Sequence, residues 1–307
     1  MNALDAAAQS AIHAHMMHPG TERINAYLLA NSPKSAAPAD MREWFVNLVK
    51  VTPIPEAAKL ESSTCPVPAS WIQPEGADSG RVILYAHGGA YILGSPQTHL
   101  EMVYRFAKEA GARALSVDYR LLPENPYPAC IDDVVDAYRY LLKEGFAPQK
   151  IAIAGDSAGG GITLTTGLRI RDEGLPPPGC LVCFSPWTDF TASGESIKTN
   201  RELDKMVDAR LLPMMAQIVL NGRDPVASSP LFADLSKLPP LLLQAGTIEV
   251  LFDDSRRLAK RYEEAGSKVT FEPWEGMTHV FQAFPTFVPE AIEAIQRAGA
   301  FVREKLG

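Results

Sequence analysis

Short apolar runs alternate with amphipathic stretches from about residue 80 to the end of the chain. Continuous apolar runs are typical of strands buried on both faces, and apolar positions three or four apart are typical of helices. The predicted strands lie within residues 81–87, 112–118, 150–156, 180–185, 238–246 and 268–274. The predicted helices lie within residues 97–110, 127–143, 158–171, 253–265 and 289–305. This alternation predicts an α/β fold with a mostly parallel sheet flanked by helices.

Three regions depart from that alternation. Residues 1–50 have a helical pattern interrupted near residues 31–38, and residues 59–74 have a proline-punctuated pattern that favours an antiparallel edge pair. Residues 187–231 contain helix-compatible sequence at 207–220, bounded by Gly and Pro. Ligands bind at the carboxyl ends of the strands in such sheets.

These departures predict a division of the chain into a cap and a catalytic domain. We expect residues 1–50 to form an N-terminal helical cap over a catalytic domain at 51–307. Residues 187–231 leave the sheet, and we expect them to contribute to the cap. The two pieces are the ones available to cover the carboxyl ends of the strands.

Composition and charge exclude several classes of protein. The chain has 307 residues, of which 46% are apolar, so the bulk of it can bury a core. It carries 29 basic and 36 acidic residues, a net charge of −7, without a dense Lys/Arg run. We therefore expect no nucleic-acid or membrane partner. No apolar run reaches the roughly 18–20 residues that span a bilayer. The first residues lack the pattern of a signal peptide, which predicts a cytoplasmic location.

The cysteines and clustered histidines do not predict a metal site. Four cysteines are too few for a disulfide scaffold. Cys180 and Cys183 lie three apart in a predicted strand, where their side chains would point to opposite faces. His13, His15 and His18 favour a polar helix face, because no spacing of Cys or carboxylate residues accompanies them. We expect no metal.

The strand at 150–156 leads into the sequence Gly-Asp-Ser-Ala-Gly, and a helix-compatible stretch follows it. A G-x-S-x-G between strand and helix is typical of a nucleophile elbow, which exposes the serine hydroxyl. Gly155 and Gly159 would give the tight turn room. A phosphate-binding loop is the alternative, but the sequence lacks its lysine. The pattern predicts Ser157 as a nucleophile.

A second loop, His87-Gly88-Gly89, follows the strand at 81–87. Consecutive glycines leave backbone N–H groups accessible, and such groups stabilise a tetrahedral oxyanion. We expect His87 to hold this loop by hydrogen bonds rather than to act as a base.

A serine nucleophile needs a base. His279 lies after the last strand, as the order Ser, acid, His requires. His99 precedes the serine and fits that order badly. His279 is therefore the predicted base.

The orienting acid should follow the strand within 238–246. The candidates are Glu249, Asp253 and Asp254. Glu249 lies in the turn itself, whereas helix capping accounts for the two aspartates. We favour Glu249 and retain Asp253 as the alternative.

Five motifs together resemble those of the hormone-sensitive-lipase-like (family IV) bacterial esterases, in the GDSAG branch. They are HGGAY at 87–91, DYRLLPENPYPA at 118–129, GDSAGG, SPWTD at 185–189 and GMTHVF. The resemblance covers roughly residues 59–305. It implies an α/β-hydrolase fold with an N-terminal helical cap and no cofactor. The implied activity is that of a carboxylesterase acting on short acyl esters through a Ser-His-Glu/Asp triad and an acyl-enzyme intermediate.

The resemblance also assigns roles residue by residue. Ser157 is implied as the nucleophile and His279 as the base. The implied oxyanion donors are the N–H groups of Gly88, Gly89 and Ala158. The acid in this family is usually the first Asp of D-x-L-x-D, where this chain has Glu249, one methylene longer. Ala90 replaces the third Gly of HGGG and keeps its N–H, so we expect little effect.

Other activities and further features remain open at this point. A lactone or amide hydrolase could use the same triad, and the fold has also become a non-catalytic ligand receptor elsewhere. Tyr91 and Trp187 follow strands near the expected site, so we predict that they wall the substrate pocket. The alternative for Trp187 is an ordinary core position. Members of the family are often dimers, so we also predict a homodimer.

Overall fold

The computed structural model describes residues 17–307, and its centre is a single sheet. The strands are β1 (Glu61–Ser62), β2 (Ala69–Ile72), β3 (Asp78–Ala86), β4 (Ala112–Val117), β5 (Ile151–Asp156), β6 (Cys180–Phe184), β7 (Leu241–Gly246) and β8 (Val269–Trp274). Their order across the sheet is β1-β2-β4-β3-β5-β6-β7-β8. The pairs β1/β2 and β2/β4 are antiparallel and the other neighbours are parallel, which confirms the predicted sheet and its antiparallel edge.

Helices connect the strands and extend the chain at both ends. They are α1 (Pro19–Ala30), α2 (Pro38–Leu48), α3 (Leu100–Ala110), α4 (Ala129–Lys143), α5 (Ala158–Asp172), α6 (Ser196–Thr199), α7 (Leu212–Leu220), α8 (Pro225–Ser228), α9 (Phe252–Glu264) and α10 (Glu290–Leu306). The five predicted helices all form, four of them between strands and one after the last strand. Within residues 17–307, none of the helices combines the length and apolar character that a membrane crossing requires.

The helices cover the sheet on both faces. Helices α4, α5 and α9 pack on one face and α3 and α10 on the other. Alternate residues of β3 separate accordingly, with Leu84 in the first core and Tyr85 in the second. Cys183 and Cys180 likewise lie in different cores, so the prediction that their side chains point to opposite faces is confirmed.

The N-terminal helices pack against the segment that precedes α10. Ile24 and Leu48 form a third apolar cluster with Phe281 and Phe284. At the start of α1, His18 Nδ1 accepts a hydrogen bond from the Gly20 N–H at 3.1 Å. The polar helix face predicted for the histidines cannot be followed further, because residues 13 and 15 lie outside the described part of the chain.

Residues 187–231, which leave the sheet between β6 and β7 and are called the excursion below, contain less helix than their apolar pattern predicts. The prediction extended over residues 207–220, whereas α7 begins at Leu212. Pro213 lies in its first turn, where the missing N–H costs no hydrogen bond. The N–H groups of Met206 and Val207 instead donate to the Asp204 carboxylate, at 2.8 and 3.2 Å. That side chain holds the turn at residues 204–207, and Pro213 would interrupt a helix that ran on from residue 207.

Candidate active site

Ser157 lies at a sharp turn between β5 and α5, as the predicted elbow requires. Its backbone has φ 53° and ψ −121°, a sparsely populated conformation that the surrounding contacts maintain. The Ser157 N–H donates to the Phe184 carbonyl at 2.9 Å, and its carbonyl accepts from the Trp187 N–H at 2.9 Å. A Cβ atom on Gly159 would lie 2.0 Å from the Ala86 carbonyl oxygen, so only glycine allows this close approach.

A continuous chain of hydrogen bonds joins three side chains. His279 Nε2 lies 2.9 Å from Ser157 Oγ, and His279 Nδ1 lies 3.0 Å from Glu249 Oε2. A carboxylate only accepts, so Nδ1 carries the proton and Nε2 is free to accept the serine proton. Glu249 follows β7 and His279 follows β8. The sheet therefore brings together residues that lie far apart in sequence.

Burial and charge act in opposite directions on the His279–Glu249 pair. Burial lowers the pKa of His279, but the hydrogen bond and negative charge of Glu249 outweigh it, so this pKa lies above its usual value. Burial also raises the pKa of Glu249, and the contact with His279 opposes that rise. Such an arrangement favours an imidazole that gains a proton readily.

The two aspartates at the start of α9 make other contacts. Asp253 Oδ2 accepts from the Ser196 N–H at 3.0 Å, and Asp253 Oδ1 accepts from Arg256 Nε at 2.8 Å. Asp254 Oδ2 accepts from the N–H groups of Thr188 and Asp189 at 2.7 and 2.8 Å, and burial raises its pKa to about 7. The alternative acid, Asp253, is thus paired elsewhere, whereas the favoured Glu249 contacts His279.

Asp156 anchors the glycine loop, and this changes the predicted set of oxyanion donors. Its Oδ1 accepts from the Gly88 N–H at 3.0 Å and from the Tyr85 hydroxyl at 2.8 Å. The Gly88 N–H is therefore already engaged, and its prediction as an oxyanion donor is corrected. Gly89 and Ala90 line the same cavity as Ser157. This contact leaves no signal in the sequence, because it depends on β3 and β5 being neighbours in the sheet.

The two other histidines near this loop support it rather than react. His87 Nδ1 donates to the Gly88 carbonyl at 2.8 Å, and its ring stacks on Tyr119. The predicted hydrogen-bonding role of His87 is therefore confirmed. Burial lowers its pKa to about 3, so the ring stays neutral. His99 Nε2 lies 3.4 Å from Asp156 Oδ2, whereas the Gly88 N–H donates to Oδ1 of the same carboxylate.

A cavity of about 260 Å³ opens above Ser157 and His279. Apolar side chains of α2 and of the excursion form much of its wall: Trp44, Phe45, Leu48, Met206, Val207, Leu211, Leu212 and Met215. Trp187 also lines it, although only 3% of that residue is exposed. An enclosure of this size and polarity suits a small, mostly apolar ligand.

Tyr91 does not line this cavity, which corrects its predicted place in the pocket wall. Ala90 and Tyr91 both have positive φ, 52° and 65°, and this turn directs the Tyr91 ring into the core. There it packs against Trp187, with ring centroids 6.0 Å apart, and against Phe190 at 6.0 Å. Tyr91 supports the wall from behind.

Among known protein families, residues 83–283 match the family model described as the alpha/beta hydrolase fold. An acetyl-hydrolase of Streptomyces hygroscopicus is 44% identical over 241 residues, which cover 78% of this chain and 80% of the relative.

Solved structures agree over nearly the whole chain. A crystal structure of an esterase from the bacterial hormone-sensitive lipase family superposes with a TM-score of 0.90 and 41% identity, covering 94% of this chain and 99% of the other. A crystal structure of EstE5, soaked with p-nitrophenyl butyrate, superposes with a TM-score of 0.89 and 39% identity over the same shares of the two chains.

Proposed function

Since this chain belongs to the hormone-sensitive-lipase-like family of α/β hydrolases and is a carboxylesterase, we propose that it hydrolyses short-chain esters through Ser157, His279 and Glu249. The observation that carries this proposal is the hydrogen-bond chain from Ser157 Oγ through His279 to Glu249, with steps of 2.9 and 3.0 Å. It lies at the base of an apolar cavity, where an ester carbonyl can approach the serine.

Acylation begins when Ser157 Oγ attacks the ester carbonyl carbon and His279 Nε2 takes the hydroxyl proton. The carbonyl oxygen becomes an oxyanion, which accepts from the N–H groups of Gly89, Ala90 and Ala158. Glu249 stabilises the imidazolium that forms and keeps it oriented. His279 then gives the proton to the departing alkoxide, which leaves as the alcohol, and the acyl group stays on Ser157.

Deacylation repeats these steps with water in place of the serine hydroxyl. His279 takes a proton from the water as its oxygen attacks the acyl carbon, and it returns the proton to Ser157 Oγ as the carboxylic acid leaves. No cofactor takes part in either half.

We also propose that the protein prefers esters with short acyl chains and that a cap covers its catalytic domain. A cavity of about 260 Å³ leaves little room for a long acyl chain. The soaking of EstE5 with p-nitrophenyl butyrate makes that ester a suitable probe. We assign residues 17–50, the described part of the predicted cap at 1–50, together with residues 187–231 to a cap over the catalytic domain at 51–307, because helix α2 and the excursion supply cavity walls.

The test is hydrolysis of p-nitrophenyl esters of increasing acyl length by wild type and by Ser157→Ala. We expect the variant to lose at least about three powers of ten in kcat with an unchanged circular-dichroism spectrum. We also expect wild-type kcat/KM to be highest for short chains. Near-wild-type activity of the variant would overturn the role of Ser157. A preference for long chains would overturn the substrate class alone.

A further inference from the structure

Two buried polar side chains of the excursion contact the loop that carries Glu249. Asn200 and Asp204 are 6% and 2% exposed, and neither lines the cavity. They lie four residues apart, and the Asp204 N–H donates to the Asn200 carbonyl at 3.0 Å. One turn of backbone therefore presents both side chains to the same neighbour.

That neighbour is the loop after β7, in which both side chains contact one peptide group and Asn200 Nδ2 also donates to the Thr247 carbonyl oxygen at 3.0 Å. Asn200 Nδ2 donates to the Glu249 carbonyl oxygen at 2.9 Å, and the Val250 N–H donates to Asp204 Oδ2 at 2.9 Å. The Glu249 carbonyl and the Val250 N–H belong to the same planar unit. Contacts on both of its edges fix the rotation of that plane. They therefore fix the Cα from which the Glu249 side chain leaves.

Asp204 also contacts the loop that carries the base. Its Oδ1 accepts from Thr278 Oγ1 at 3.3 Å, and Thr278 directly precedes His279. The same oxygen accepts from the N–H groups of Met206 and Val207. Every one of these partners is a donor, which is the environment that an ionised carboxylate requires. A single carboxylate thus joins the acid loop, the base loop and the excursion.

We propose that Asn200 and Asp204 are positioning residues that hold the Glu249 and His279 loops in register, an inference that rests on the proposed triad. The Glu249 peptide and Thr278 both lie outside strands and helices. The Glu249 carbonyl accepts one backbone hydrogen bond, from the Phe252 N–H at 3.2 Å, and the two side chains add contacts on both edges of its peptide. A displacement of about 1 Å in catalytic geometry can cost about 100-fold in rate. Neither residue lines the cavity, but Asp204 also holds the backbone of Met206 and Val207, which do line it.

The first test is Asp204→Asn, which keeps the shape of the side chain. It replaces one carboxylate oxygen with an NH₂ group, which cannot accept the hydrogen bonds that this oxygen accepts. We expect kcat for p-nitrophenyl butyrate to fall about 10- to 100-fold. The KM comparison is made with Asn200→Ala, because Asp204 also holds Met206 and Val207 in the cavity wall. The carboxylates that act on His279 are Glu249, Asp204 and Asp156, and each raises its pKa. Removing the Asp204 charge should therefore move the acid limb of kcat/KM to lower pH. A loss of folded protein would scale the whole profile and leave the limb in place.

The matched control is Glu202→Gln, in the same turn, because this side chain is exposed and pairs with Arg201 and Lys205. It should leave kcat and the acid limb unchanged. Asn200→Ala should also lower kcat at constant KM. The double variant of Asn200 and Asp204 should lose less than the product of the two single losses, because both hold the same peptide.

Wild-type kcat and an unmoved acid limb in Asp204→Asn would overturn the inference. If that variant does not fold, Asn200→Ala and Thr278→Val each remove one side of the contact, and unchanged kcat in both would overturn it equally. Ser157→Ala and Glu249→Gln in the same series separate this result from the triad. If these two variants are inactive while Asp204→Asn is fully active, only the positioning role is rejected. If these two variants are active, the triad itself is rejected.

Discussion

At the scale of single residues, the variants Glu249→Gln and Asp253→Asn test which carboxylate is the acid of the triad. Glu249→Gln should lower kcat by about two to four powers of ten, because an amide cannot stabilise the imidazolium and favours the wrong tautomer. Asp253→Asn should cost much less activity, since its carboxylate bonds to Ser196 and Arg256 instead. Steady-state kinetics on both variants decide the assignment. A larger loss in Asp253→Asn would show that the acid is misplaced.

The pH dependence of activity follows from His279 and the carboxylates around it. His279 must be neutral to act as a base, so activity is lost as pH falls through its pKa. The neighbouring carboxylates of Glu249, Asp204 and Asp156 raise that pKa above the usual value of 6.5, against the effect of burial. The acid limb of kcat/KM should therefore have its midpoint above 6.5. A pH–rate profile with a buffer-matched stability control checks this, and a midpoint well below 6.5 contradicts it.

Individual residues also show how far sequence reasoning reaches. Ser157, His279 and Glu249 could be placed because each directly follows a strand whose apolar pattern is clear. The engagement of Gly88 by Asp156 could not be predicted, because it depends on which strands are neighbours in the sheet. Asn200 and Asp204 carry no signal at all, since polar residues in an irregular segment are usually solvated.

At the scale of elements, the regular part of the fold was predictable and the excursion was not. Parallel strands covered on both faces are continuously apolar, so their positions are visible in the sequence. Helix α7 begins later than the pattern indicates, at Leu212, because Pro213 would interrupt a helix that ran on from residue 207. Apolar periodicity alone does not record that interruption. The position of Pro213 was the available signal.

The segment after β6 sets the size of the pocket. Trp187 lines the cavity and also packs against Phe190, with ring centroids 5.0 Å apart. It therefore belongs to both the pocket wall and the core. Trp187→Ala should destabilise the protein by about 3–5 kcal/mol. It should also raise kcat/KM for bulky esters relative to small ones, because the cavity becomes larger.

Phe190→Ala is the matched control for this prediction, because Phe190 belongs to the same aromatic cluster and does not line the cavity. It should lower stability without changing the ratio between bulky and small esters. Thermal unfolding and the ester series on both variants provide the measurements. Equal ratios in the two variants would show that Trp187 acts only as a core residue.

At the scale of the whole molecule, the sheet ends in a strand that has one neighbour. β8 pairs with β7 only, and its outer edge carries unpaired backbone groups. Phe271 and Trp274 on this strand are half-buried, so a second copy could cover them further. Pro273 lacks an N–H and limits indiscriminate pairing at this edge. An isologous contact between two β8 strands would satisfy the remaining groups in both copies at once.

We therefore expect a homodimer joined through β8, with twice the mass of the 33.4 kDa chain in light scattering. Thr270 is exposed on this strand, and Thr270→Glu would add a negative charge to the β8 edge of both copies. The variant should give the monomer mass while it keeps its ester hydrolysis, because β8 ends before the base loop. Ser79→Glu, which adds the same charge at an exposed position on β3, should leave the dimer intact. A monomer mass for the wild-type protein would reject the dimer. A dimeric Thr270→Glu would reject β8 as its interface, because repulsion between the added charges would then have no effect on association.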